Sequence, residues 1–158
     1  MKKNIQLLLL CWLLNLNAFG QWVNEYVDNG EDAPYNICYN EDKNNLFDTF
    51  YAKLENVNGK ICFYIQSSDF PSGYEFAMIY FTVNGVLKTH TIQGRLSDDG
   101  ELIFISENLI NSKLLYDFKA SSEMRIDLFF EGAGASQIIT RFNMTGSTAA
   151  YNFIRQKV

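Results

Sequence analysis

The sequence predicts a mainly β domain, an antiparallel β-sandwich with a short C-terminal helix. Three observations carry this. Short runs of alternating apolar and polar residues recur along the chain. Two of the junctions between them are Asn-Gly, Asn58-Gly59 and Asn84-Gly85. Nine tyrosines and thirteen phenylalanines favour strands and supply large buried surfaces. An up-and-down β-barrel fits the same pattern and is the alternative.

The chain opens with Met1-Lys2-Lys3, an apolar run from Ile5 to Leu16, and Ala18-Phe19-Gly20 before Gln21. A basic start, an apolar middle and small residues before a cut describe a secretory signal, here residues 1–20. The run is shorter than the ~20 apolar residues of a spanning helix, so no transmembrane segment is expected after cleavage. Cys11 follows Leu10 rather than a small residue, which argues against a lipid-anchored precursor. Residues 21–158 then form one exported domain, secreted or periplasmic.

The elements follow in order. Trp22 to Val27 is an opening strand ended by Asp28-Asn29-Gly30, and Tyr35 to Tyr39 is a short one. Leu46 to Val57 places Phe50, Ala52 and Leu54 on one face, and Asn58-Gly59 turns it into Lys60 to Gln66. Tyr74 to Val83 and Val86 to Gln93 flank Asn84-Gly85, the strongest short-range hairpin signal. Asp98-Asp99-Gly100 leads into Glu101 to Ser106. Glu107 to Phe118 fits a short helix or irregular cover. Glu123 to Phe130 and Gln137 to Met144 are strands joined by a glycine-rich loop. Ser147 to Arg155 reads as a helix capped by Ser147 or Thr148.

Composition limits the function. Loss of Lys2 and Lys3 with the signal moves the net charge from −5 to −7. Nucleic acid and anionic membrane surfaces need basic patches and are not expected partners. Cys38 and Cys62 remain after processing, and an even pair in an exported chain predicts a structural disulfide. Its loop of about 25 residues would contribute roughly 3.5 kcal/mol in the chain-entropy account.

No motif supplies chemistry, and no catalytic residue, cofactor or metal is assigned. His90 is the single histidine. It shares a strand face with Val86, Lys88 and Ile92, a pattern that reads as surface. No G-x-S-x-G elbow accompanies it. Asp28, Glu31 and Asp32 cluster in one loop, a weak cation site at most, and fail the EF-hand spacing. Gly132-Ala133-Gly134 lacks the remaining glycine and lysine of nucleotide loops. Asn143-Met144-Thr145 is a glycosylation sequon that matters only in a eukaryotic secretory pathway. Asp69, Glu75 and Asp127 are available to a carboxylate-dependent hydrolase, but nothing selects them.

The ending is the most suggestive segment. Glu123 to Leu128, then Arg141-Phe142-Asn143-Met144-Thr145-Gly146 and the alanine-bearing run to Ile154, resembles the C-terminus of small exported bacterial β proteins such as the invasion-associated locus B family. The resemblance implies an exported β-sandwich in a bacterial envelope setting and carries over no functional residue. The expectation is a non-enzymatic domain that binds a protein or cell-surface partner. A carrier of a small apolar ligand and a carboxylate-dependent hydrolase are the alternatives. An exposed aromatic patch would favour the first, a deep apolar cavity the second, and two carboxylates converging in a cleft the third. Oligomeric state is left open.

Overall fold

The two Asn-Gly turns set the frame. Asn58 and Gly59 have φ of 52° and 81°, and Asn84 and Gly85 have 51° and 76°. Two consecutive positive φ angles are what a type I′ hairpin requires. The computed structural model describes residues 22–28, 30, 34–42, 49–68, 70–131 and 136–156. The expected signal at 1–20 lies outside them.

Among the described residues ten strands run in chain order: β1 Val23–Val27, β2 Tyr35–Asp42, β3 Phe50–Val57, β4 Lys60–Gln66, β5 Tyr74–Val83, β6 Val86–Ile92, β7 Arg95–Leu96, β8 Leu102–Ser106, β9 Glu123–Phe130 and β10 Ser136–Asn143. A 3₁₀ turn spans Leu109–Asn111, helix α1 spans Leu115–Ala120 and helix α2 spans Ser147–Ile154. The strands form two antiparallel sheets, one ordered β1-β2-β3-β4-β8-β7 and the other β10-β9-β5-β6. Two separate sheets make a sandwich, and the barrel alternative fails.

Period-two alternation fills the space between the sheets. Phe50, Ala52 and Leu54 of β3 and Ile61, Phe63 and Ile65 of β4 face Ala77, Ile79 and Phe81 of β5 and Met124, Ile126 and Leu128 of β9. Phe118 of α1 joins the layers at one end. Its ring lies 5.5 Å from that of Trp22, 5.3 Å from Phe63 and 6.4 Å from Phe81, all edge-on. Near the other end Phe70 packs on Phe50 and Phe130. The aromatic richness is therefore largely core packing.

The inner face of β2 is a polar seam that fastens the C-terminal segment. Its inward positions are Asn36, Cys38, Asn40 and Asp42, all buried. Asn36 Nδ2 donates to the carbonyls of Phe153 and Gln156, and Asn56 Nδ2 of β3 donates to that of Ile154. These amides donate to carbonyls at the end of the helix, where intrahelical partners run out, and the Phe153 carbonyl also accepts from the Gln156 amide. Asn40 donates to the Asn143 carbonyl, and Asp42 accepts from Thr140 and from the Arg141 amide. At its start α2 departs from expectation. Gly146, with φ of 87°, precedes the helix, and no side chain caps it. Ser147 is buried, and Thr148 Oγ1 donates instead to the Lys119 carbonyl of α1. Ala150, Tyr151 and Ile154 are buried, whereas Ala149 is exposed.

The expected Cys38–Cys62 disulfide is not made; both thiols are free. Cys38 pairs with Leu54, whereas Cys62 pairs with Glu55. Adjacent positions on β3 point to opposite faces, so one thiol faces the core and the other the outside. The whole of β3 also separates them, roughly 10 Å at the usual strand spacing, beyond the ~7 Å Cα separation a disulfide tolerates. The even count of cysteines could not reveal this, because it depends on register.

Candidate functional site

The outward residues of the two sheets differ in kind. In the four-stranded sheet, β5 turns Phe76, Met78, Tyr80 and Thr82 outward, and β6 turns Leu87, Thr89 and Thr91. Strand β9 adds Glu123, Arg125, Asp127 and Phe129, and β10 adds Gln137, Ile139, Arg141 and Asn143. None of these is lysine. The six-stranded sheet instead shows Glu25, Glu41, Lys53, Glu55 and Lys60 among its outward residues. Protein interfaces are enriched in aromatics, methionine and arginine and depleted in lysine and glutamate. The four-stranded face matches in lacking lysine and in carrying Met78, Arg125 and Arg141, whereas the six-stranded face also turns Tyr39, Tyr51, Tyr64 and Phe104 outward but mixes them with lysines and glutamates.

Cross-strand contacts fix the side chains of this face. Phe76 and Phe129 stack at 4.5 Å with planes 15° apart. Arg125 holds Asp127 with two donors, Nε at 2.7 Å and Nη2 at 2.5 Å, and its guanidinium lies 4.8 Å over the Tyr80 ring. Gln137 Nε2 adds a third donor to Asp127 at 3.1 Å. Only 2% of Asp127 is exposed although it points away from the core, so its neighbours cover it. Burial in such a setting demands the pairing that Arg125 provides. Ile139 and Leu87, near the margins, are 41% and 61% exposed. A shallow depression of about 310 Å³ is lined by Tyr80, Thr82, Leu87, Glu123, Arg125 and Arg141.

The other candidate residues are scattered. His90 lies on the inward side of β6, opposite Ile79, rather than on the surface. Its Nε2 is 2.8 Å from Asp117 Oδ2 of α1, so the ring ties the edge strand to the helix. Asp28 accepts from the Gly30 amide within its own turn, while Glu31 and Asp32 lie outside the described residues. Of the three carboxylates, Asp127 is engaged by Arg125 and Glu75 is exposed at the bulge of β5. Asp69 and the Gly132-Ala133-Gly134 loop lie outside the described residues. Asn143 Oδ1 accepts from the Thr145 amide in a local turn.

Sequence reasoning passed over Tyr80, Arg125 and Arg141. Alternation places Tyr80 and Arg125 each on one face of a strand, but only the pairing of β5 with β9 brings them side by side. The one available signal was Arg125-x-Asp127, opposite charges two residues apart on a strand, which always share a face.

No protein-family model and no curated protein matches the sequence. The fold is similar to the crystal structure of invasion associated protein B from Bartonella henselae, with a TM-score of 0.59 and 10% sequence identity over 87% of this chain and 94% of that one. The likeness is one of fold, and it extends the resemblance of the C-terminal segment to most of the sandwich.

Proposed function

We infer that the chain is an exported β-sandwich that binds a protein partner through the outer face of its four-stranded sheet. The observation that carries this reading is the lysine-free face of Phe76, Met78, Tyr80, Arg125, Phe129 and Ile139. Such side chains become energetic anchors when a partner excludes water from them. The prearranged Arg125–Asp127 pair and the stacked Phe76–Phe129 pair lower the ordering cost of binding. The fold neighbour is described as invasion associated, which supports a partner outside the cytoplasm. The carrier reading loses its barrel, and the phenylalanines that would line a ligand cavity pack on one another.

Photo-crosslinking residues placed at Leu87 and Ile139, with Glu25 and Lys60 of the opposite face as controls, test the reading in the producing cell and its surroundings. A discrete protein adduct from the first pair and not from the controls is expected. Adducts equal at both faces, or at neither, would overturn it.

A further inference from the structure

The outer surface of the six-stranded sheet holds a second feature, away from the face assigned above and independent of it. A depression of about 550 Å³ is lined by Thr49, Tyr51, Lys53, Gln66, Ser67, Ser68 and Glu101. Its size lies within the ~300–1,000 Å³ range of small-molecule sites. Tyr51 and Gln66 pair across β3 and β4, and the Ser67 amide bonds the Glu101 carbonyl at 3.1 Å, so strand pairing sets the floor. Ser67 is 2% exposed, and its hydroxyl has no hydrogen-bond partner among the described residues. Buried hydroxyls are rarely left so, because the lost solvation costs about 1–3 kcal/mol.

The lining has a definite chemical character. Tyr51 offers a ring and an edge-on contact with Tyr39 at 6.0 Å steadies it. Lys53 and Gln66 supply donors, and Glu101 and Gln66 supply acceptors. One cation and one anion leave the described lining without net charge. A phosphate would meet Glu101, a metal ion would meet Lys53, and a lipid chain would strand most of the polar groups. Alternating donors and acceptors beside an aromatic ring match a ligand with many hydroxyls and an apolar ring face.

The geometry points to a binding site for a neutral saccharide unit in this depression, with Tyr51 as its platform and Lys53, Gln66 and Glu101 as its hydroxyl partners. The unit is either a free sugar or a terminal residue of a glycan. Partial burial lowers the proton affinity of Lys53, while Glu55 and Glu25 oppose the shift. The ammonium is therefore less strongly hydrated than a free lysine, which suits a direct hydrogen bond to a hydroxyl.

The test is an amide-resolved NMR titration of the processed chain with neutral hexoses, N-acetylhexosamines and short glycans, and with inorganic phosphate as the anionic control. Saturable shifts centred on Tyr51, Gln66 and Ser68, with Kd near 1 mM (about −4 kcal/mol), are expected from at least one neutral sugar. Tyr51→Ala and Glu101→Gln should each weaken it about tenfold with dispersed spectra retained. A glycan binding more tightly than its terminal monosaccharide identifies the chain-borne source, and equal affinity identifies the free sugar. No saturable shift from any sugar, shifts that both variants leave intact, or an equal response to phosphate would overturn the assignment. Because Leu87 and Ile139 are on the opposite sheet, their crosslinking result stands or falls separately.

Discussion

Thr140 Oγ1 donates to Asp42 Oδ2 at 2.6 Å across the sandwich, from an edge strand of one sheet to an inward side chain of the other. The Arg141 amide donates to the same oxygen at 2.9 Å. Thr140 is fully buried and Asp42 is 3% exposed, so water cannot replace the carboxylate. Asp42→Ala should cost about 3 kcal/mol by leaving two donors unmatched. Asp42→Asn keeps an acceptor and should cost less. Urea unfolding of the two variants checks the order, and equal midpoints would refute it.

The same seam makes the C-terminal segment indispensable. Truncation before Gly146 removes Ala150, Tyr151 and Ile154 from the core and leaves Asn36 and Asn56 without the carbonyls they serve. The truncated chain should lose its cooperative thermal transition. A melting temperature within a few degrees of the intact chain would show that α2 is an ornament on a self-sufficient sandwich.

The hairpins, the inward faces of β3 and β4, and α2 were legible because each is written within about twenty residues. Asn-Gly dictates the turn and alternation dictates the face. The seam was not legible. The strand read from the sequence, Tyr35 to Tyr39, stops short of Asn40 and Asp42, and only the arrival of β10 and α2 extends it and makes its polar residues the inward ones. His90 failed for the same reason, since its strand carries lysine, threonine and exposed valine on an edge. Strand β7, two residues long, has no periodicity to read. The candidate face was legible as alternation within β5 and β9 but not as a surface, because its central pairing joins β5 residues to β9 residues more than forty positions away.

Gly94 illustrates a constraint that lies wholly in the tertiary structure. Its φ is 46°, and a Cβ there would lie 2.5 Å from the Phe104 carbonyl oxygen and 2.9 Å from the Tyr74 hydroxyl. Backbone cannot yield as a flexible side chain can. Gly94→Ala should destabilise by about 2 kcal/mol or more through strain and clash together. Gly100→Ala, at a φ of 77° in open space, bears the strain alone and should cost less. Thermal melts of the two variants make the comparison.

The two thiols predict a distinct response to alkali. Burial pushes the Cys38 thiol from its ordinary 9.0 up to about 12, and burial with Glu55 and Glu107 nearby raises Cys62. A group held protonated in the folded state contributes stability that is complete below its unfolded value and fades as pH rises toward the folded one. For Cys38 the window is pH 9 to 12. Stability should fall across it, and Cys38→Ala should flatten that fall. At pH 8 a thiol reagent should modify half-exposed Cys62 more slowly than a free thiol and reach Cys38 only on unfolding. The denatured, unreduced chain should take up one alkyl group at each of the two cysteines. A mass without them, restored by reductant, would reinstate the bridge.

Arg125 needs care as a probe of the proposed interface, because it does two things at once. It borders the depression beside Tyr80, and it neutralises an Asp127 carboxylate that is 2% exposed. Removing one partner of such a pair strands the other charge, so Arg125→Ala should cost about 3 kcal/mol or more in stability. Arg125→Ala combined with Asp127→Ala leaves no charge to strand and should recover most of that loss. A double variant as unstable as the sum of the singles would mean the pair is not coupled. Loss of partner binding in the single variant alone would thus be ambiguous. Arg141→Ala and Leu87→Glu alter exposed side chains of the same face. They should change stability by less than about 0.5 kcal/mol, and a loss of binding in them is the result that assigns the interface.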